Sequence, residues 1–245
     1  QPDGSFPARP SEPTPDNCES LASLVASTDT DLGIAHDGDA DRMRAVTADG
    51  EFLSGDVLLA LFGRAAATEG EAVAVPVDTS LAVEDHFAEA GIETRRTPVG
   101  DVYVAEAASE DGVAFGGEPS GAWIWPAATL CPDGPLAACR IAAMAARQPL
   151  AERAAAVETY PIRRDNVETA QKTAVMERVS ERVGERFESV STLDGLRVDL
   201  GDGWFLLRAS GTQPLVRMTA EARTEARTAE IAEIAMDLLT EASSE

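Results

Sequence analysis

Lysine is nearly absent: of 20 basic residues only Lys172 is a lysine, and the rest are arginine. Basic charge as a whole is scarce, with 43 Asp and Glu setting the formal net charge at −23. A surface this acidic repels phosphate backbones, which argues against a nucleic-acid interface. No run of about 18 apolar residues occurs, so no membrane span is expected. Cysteine is limited to Cys18, Cys131 and Cys139, an odd number without a CxxC pair. A disulfide framework is therefore not expected, and a reducing cytoplasm is the simpler setting. Two readings fit the acid excess and the arginine bias: a carboxylate-rich surface suited to high salt, or an acidic cytoplasmic protein of GC-rich coding. The chain opens Gln1-Pro2-Asp3-Gly4, with no initiator Met, signal peptide or transit segment, and reads as the tail of a longer one.

What is present is ordinary for a globular protein: 245 residues, 44% hydrophobic and 26% charged, enough for one large domain or two small ones. Residues 1–16 hold five prolines and read as an extended surface segment. Asp16 or Asn17 is placed to cap a short helix reaching Thr28. Leu32 to Ala35 reads as a buried strand, and Arg44–Thr47 with Glu51–Leu53 as a hairpin around Asp49-Gly50. Ser54 caps a helix striped by Val57, Leu58, Leu61 and Phe62. Strands at 72–77, 92–95 and 113–116 then alternate with helices at 81–90 (closed by Gly91) and 101–109. A helical stretch follows from Pro132 to about Ala156. This alternation implies an α/β layer with a mainly parallel sheet. Beyond residue 157 the rhythm changes to a strand near 158–163, a helix at 169–184, strands at 188–192, 195–200, 203–208 and 215–221, and a last helix with Ile231, Ile234, Ala235, Leu238 and Leu239 at helical spacing. That pattern implies a smaller α+β domain.

Three loops carry candidate chemistry. In His36-Asp37-Gly38-Asp39-Ala40-Asp41-Arg42, the carboxylates at i, i+2 and i+4 form an all-oxygen nest suited to Mg²⁺ or Ca²⁺ and poor for zinc. An EF-hand is excluded, because Arg42 and Ala48 stand where its Gly and Glu belong. Spacing alone leaves a Mg²⁺-dependent phosphatase equally open. In Gly116-Gly117-Glu118-Pro119-Ser120-Gly121, glycines admit close approach while Glu118 and Ser120 offer an acceptor and a donor to adjacent sugar hydroxyls; a plain turn is the blander reading. In Arg208-Ala209-Ser210-Gly211-Thr212-Gln213-Pro214, with Arg217 beyond it, two hydroxyls, a glycine turn and two arginines suggest a phosphate cradle. The competing reading pairs those arginines with surface carboxylates. Trp123 and Trp125 are expected in the core, His36 as a packing residue beside the metal loop, His86 at the surface, and Asp78-Thr79-Ser80 as a helix cap.

Taken in order, the loops resemble those of the α-D-phosphohexomutase family (phosphomannomutase, phosphoglucomutase, phosphoglucosamine mutase). Asp37–Arg42 looks like its metal loop, Gly117–Gly121 its sugar loop, Arg208–Arg217 its phosphate loop, and Thr97–Val104, with Gly100 and Asp101, another active-site segment. The resemblance implies a Mg²⁺ enzyme in which a phosphoserine and a hexose monophosphate exchange phosphoryl groups through a bisphosphate. It implies Asp37, Asp39 and Asp41 as metal ligands, and Arg42, Gly100, Asp101, Glu118, Ser120, Arg208, Ser210, Gly211, Thr212 and Arg217 as substrate contacts. It divides the chain into the end of domain two (1–53), an α/β domain three (54–156) and an α+β domain four (157–245). No Ser-His-Asn-like phosphoserine loop occurs, so these residues are expected to be the C-terminal portion and inactive alone. Departures are Ala122 where many members have His, Gln213 where Glu is usual, and Pro98 in place of a frequent Lys. Ala122 and Asp101-Val102-Tyr103 lean towards the phosphoglucosamine mutase side. A non-catalytic sugar-phosphate-binding module is the reading from a different class.

Overall fold

The computed structural model describes residues 4–7, 9–211 and 213–243. The chain forms two compact units, the first ending at Glu158 and the second starting at Thr159. Among the described residues no helix is long and apolar enough to cross a membrane.

In the first unit a 3-10 turn (Asp16–Cys18) leads into α1 (Glu19–Ala26). Neither Asp16 nor Asn17 caps that helix as expected: both lie within the turn, and Cys18 takes the cap position without a side-chain bond. Strands β1 (Leu32–His36) and β2 (Met43–Thr47) pair antiparallel, His36 opposite Met43, so the aspartate loop is the tip of this hairpin. β1 alternates between half-buried and buried positions, as a strand with one face covered does, and is not buried throughout. The Asp49-Gly50 turn forms, with Gly50 at φ 87°, but its second arm is reduced to one bridge, Val46 to Phe52.

α2 (Gly55–Ala66) starts where Ser54 Oγ accepts from the Val57 amide at 3.2 Å. β3 (Ala72–Pro76), α3 (Leu81–Ala88), β4 (Glu93–Thr97), α4 (Asp101–Ala108), β5 (Val113–Gly117) and β6 (Trp123–Ile124) follow. Their sheet runs β4-β3-β5-β6, with β3 parallel to both neighbours and β6 antiparallel to β5. β3 is buried at all five positions, which is why Ala72–Pro76 reads as a continuous apolar run. The expected helix after Pro132 is two, α5 (Gly134–Ala145) and α6 (Leu150–Ala155), separated at Pro149, whose ring cannot continue a helix. Phe62, Phe115, Trp123 and Trp125 pack together, the Phe115 and Trp125 rings 4.9 Å apart. Both tryptophans are core residues, as expected.

The second unit is a fully antiparallel sheet, β7-β11-β10-β9-β8, formed by β7 (Ile162–Glu168), β8 (Val190–Ser191), β9 (Leu196–Asp199), β10 (Gly203–Ala209) and β11 (Leu215–Ala222). α7 (Lys172–Arg186) contributes Val175, Val179 and Val183, and α8 (Glu225–Ser243) contributes Ile231, Ala235, Leu238 and Leu239 to a single core with that sheet. β7 lies four residues beyond the expected 158–163, and α7 begins and ends correspondingly late. β7 is an edge strand with mostly exposed side chains, held by its ladder to β11, so apolar patterning could not locate it.

Candidate functional site

The metal loop is shaped by its backbone. Ala40 adopts φ 62°, a left-handed turn rare outside glycine, and one carboxylate oxygen each of Asp37, Asp39 and Asp41 falls within 4.8 Å of the others. Asp37 Oδ1 accepts from the Arg42 amide at 3.2 Å. Asp41 Oδ1 is buried with no hydrogen-bond partner; Arg42 Nε, 4.0 Å away, is too far to donate. Burial pushes the Asp41 carboxyl up, and Asp37 and Asp39 beside it push the same way against Arg42. An orphaned buried oxygen within a triad of like charges fits a hard divalent cation, which would supply the missing positive partner. Arg42 itself faces Glu12 at 3.0 Å. His36 lies beside the loop as expected, its Nδ1 2.8 Å from the Arg42 carbonyl oxygen. A methyl group on Gly134 would come within 2.4 Å of the Ala40 carbonyl, so the loop rests directly on the start of α5.

The loop at 116–121, expected to meet a sugar and called the sugar loop on that expectation, is the turn between β5 and β6. Glu118 is only 7% exposed, its Oε1 accepting from the Gly100 amide at 2.7 Å and its Oε2 from Ser120 Oγ at 3.2 Å. Burial raises the Glu118 pKa above the ordinary glutamate range, against the opposing effect of these two hydrogen bonds. Gly100, at φ 138°, is the N-cap of α4, which brings the Gly100-Asp101 segment onto the sugar loop across 18 residues of sequence.

Both loops are tied to β2. The Met43 amide donates to the Gly121 carbonyl at 3.0 Å, Arg42 bridges to Ala122, and Trp123 Nε1 donates to the Met43 carbonyl at 2.9 Å. Arg44 Nη1 donates to the Pro119 carbonyl at 2.6 Å. Sequence reasoning missed Arg44; its signal was a single guanidinium inside the apolar strand Met43–Thr47. Ser80 caps α3 as expected, its Oγ accepting from the Ala82 amide at 3.1 Å. His86 is half-buried, not a surface residue, because its helix packs against α2.

The third loop, in the second unit, joins β10 to β11. Arg208 and Arg217 are direct cross-strand partners. Arg208 Nη1 donates to Asp194 at 3.0 Å, while Arg217 is exposed and, among the described residues, reaches only the Gln213 side chain at 3.4 Å. The carboxylate-pairing reading thus describes Arg208 and not Arg217. Ser210 is buried, its Oγ accepting from the Gln213 amide at 3.2 Å, and Gly211 is exposed. Thr212 lies outside the described residues. Lys172, which sequence reasoning left without a role, donates to the carbonyls of Ser210 and Gln213 and so braces the loop.

The chain matches three domain models of one family: phosphoglucomutase/phosphomannomutase alpha/beta/alpha domain II over residues 1–50, alpha/beta/alpha domain III over 54–160, and the C-terminal domain over 162–238. It belongs to the phosphoglucomutase/phosphomannomutase family, and the models it matches are those of domain II, domain III and the C-terminal domain. A "Probable phosphoglucosamine mutase" of Methanopyrus kandleri is 46% identical over 97% of this chain and 54% of its own length. One of Methanothermobacter thermautotrophicus is 47% identical over 92% and 51%. The chain thus spans about half the length of these curated relatives. A phosphoglucomutase/phosphomannomutase family protein of Burkholderia thailandensis superposes with TM-score 0.86 at 26% identity, covering 98% of this chain and 53% of that one. An N-acetylphosphoglucosamine mutase of Aspergillus fumigatus, solved with GlcNAc-6P and magnesium, shares the fold with TM-score 0.66 at 18% identity, over 91% and 53%.

Proposed function

We propose that the protein containing this chain is a phosphohexomutase acting on glucosamine phosphate, interconverting the 6- and 1-phosphates through a phosphoserine and a bisphosphate intermediate. Residues 1–53 would be the end of its second domain, 54–156 the third and 157–245 the fourth. The observation carrying this reading is the join at the start of β2: the loop of three converging aspartates runs directly into Met43 and Arg44, which bond the Gly121 and Pro119 carbonyls of the loop that holds the buried, doubly hydrogen-bonded Glu118. The relatives named phosphoglucosamine mutase support the choice of sugar.

Asp37, Asp39 and Asp41 would hold Mg²⁺, which when bound neutralises charge on a transferring phosphoryl group. Glu118 and Ser120 would hold adjacent sugar hydroxyls, with Gly100 fixing the Glu118 carboxylate and Asp101 next to it. Arg42 would face the reacting phosphoryl. Arg208, Ser210, Gly211, Thr212 and Arg217 would bind the phosphate that does not react. Gripping the sugar and that phosphate separately sets the reacting atoms in position and removes much of the orientational entropy from the barrier.

The test is a coupled assay of the chain with its upstream sequence restored, using glucosamine, mannose and glucose phosphates. Turnover fastest with glucosamine phosphate, and none by the 245 residues alone, is expected. Phosphate release instead of isomerisation would point to a phosphatase, and binding without turnover in the extended protein to a non-catalytic module; either result ends the proposal.

A further inference from the structure

On the helical side of the first unit, α2, α5 and α6 surround a cavity of about 380 Å³ that shares no residue with the three loops. Its wall includes Phe62, Trp125, Met144, Arg140, Arg147 and Arg153. An adjoining cavity of about 230 Å³ shares Arg153 and adds Arg64 and His86. No Asp or Glu lines either one, although acidic residues outnumber basic ones 43 to 20 in the chain. The linings of these two cavities are thus opposite in sign to the whole molecule, while a neighbouring cavity that shares His86 and Ala156 with the smaller one carries Asp85, Glu89 and Glu158.

These guanidiniums are also uncommitted. Among the described residues, Arg140, Arg147 and Arg153 make no side-chain hydrogen bond or ion pair with a carboxylate, whereas Arg95, Arg96, Arg208 and Arg227 do. The Nε of Arg153 is buried and lacks any hydrogen-bond partner, a state that native structures seldom leave unexplained. Arg140 is held over the Trp125 ring at 4.6 Å, which fixes its charge at the cavity wall. Three forked donors suit the oxygens of a doubly charged phosphate, and Met144, Ala65, Ala66 and Ala143 supply an apolar side for the body that carries it. The volume lies within the range of small-molecule sites.

We propose that this cavity binds a small phosphorylated ligand carrying an apolar ring, at a site separate from the hexose phosphate loops. The phosphate meets Arg140, Arg147 and Arg153, and the ring lies against Met144, Ala65 and Ala143. The inference does not rest on the proposed mutase activity.

Calorimetric titration of the chain with phenyl phosphate tests it, run in an Arg217→Gln background so that the second-unit loop does not contribute. Saturable binding with a dissociation constant below about 1 mM is expected. Inorganic phosphate should bind roughly tenfold more weakly, for want of the ring. Arg153→Gln should weaken phenyl phosphate binding about tenfold, as loss of a charged hydrogen-bonding partner does. Arg140 and Arg147 are exposed, so Arg140→Gln and Arg147→Gln test the site without endangering the fold, and each should weaken binding at least about threefold. Arg227→Gln removes an equal charge elsewhere and should leave binding unchanged. No saturable heat, equal affinity for inorganic and phenyl phosphate, or unchanged affinity in both exposed-arginine variants would overturn the proposal.

Discussion

Each unit braces its candidate loop with a distant basic side chain on loop carbonyls, but the two differ in what else they bury. In the first, the sugar loop is locked by backbone: the Gly121 and Pro119 carbonyls accept bonds from Met43 and Arg44, and Glu118 is sealed by Gly100 and Ser120. In the second, Lys172 braces the Ser210 and Gln213 carbonyls, and two arginines stand directly opposite each other across the ladder, Arg208 paired with Asp194 and Arg217 exposed. Like charges so placed repel, and Asp194 offsets only the Arg208 side of the pair. The difference teaches that one loop is fixed by burying its carboxylate and fastening its carbonyls to a neighbouring strand, whereas the other leaves one guanidinium, Arg217, at the surface without a carboxylate partner among the described residues.

The sharpest way to break that comparison is Gly55→Ala. The added methyl would meet the Pro119 carbonyl at 1.8 Å and Arg44 Nη1 at 2.4 Å, so the sugar loop or α2 must shift. A loss of about 3 kcal/mol in denaturant unfolding is expected, in line with overpacked cores; an unchanged midpoint would show that the loop is not clamped. Next, Asp39→Asn should lower Mg²⁺ affinity by more than about tenfold, read by calorimetry, with the fold retained because Asp39 is exposed. Unchanged metal binding would count against the aspartate triad. The smallest effect belongs to the second-unit loop. Arg217→Gln relieves the cross-strand repulsion and should raise stability by up to about 0.5 kcal/mol in phosphate-free buffer, while phosphate should then stabilise the variant less than the parent. A clear loss of stability would mean that Arg217 serves the fold and not an anion.

Much of this was legible in the chain. The aspartate spacing, the Gly-Glu-Pro-Ser-Gly turn and the Ser-Gly turn with its arginines were visible because small residues and repeated carboxylates have few structural uses at that density. Ser54, Ser80, Trp123 and Trp125 likewise took the places their local chemistry favours. Arg44 and Lys172 were not legible. Each works by reaching a carbonyl 75 or 38 residues away, and a carbonyl leaves no mark in a side-chain pattern. The position of β7 was hidden for a related reason, since an edge strand is specified by the neighbour it pairs with and not by apolar alternation.

Sequence by itself determined most of the elements, though not the bounds of β7 or the break at Pro149, and which groups are candidates for a cation, a hydroxyl or a phosphate, because local propensity and side-chain chemistry act over a few residues. Only the tertiary structure decided that Gly100 closes on Glu118, that the metal and sugar loops hang from one strand, and that arginines from α5, α6 and the turn between them gather around one cavity. Those outcomes depend on hydrogen bonds and packing between segments far apart in the chain, where the free energy belongs to the pairing and not to either segment alone.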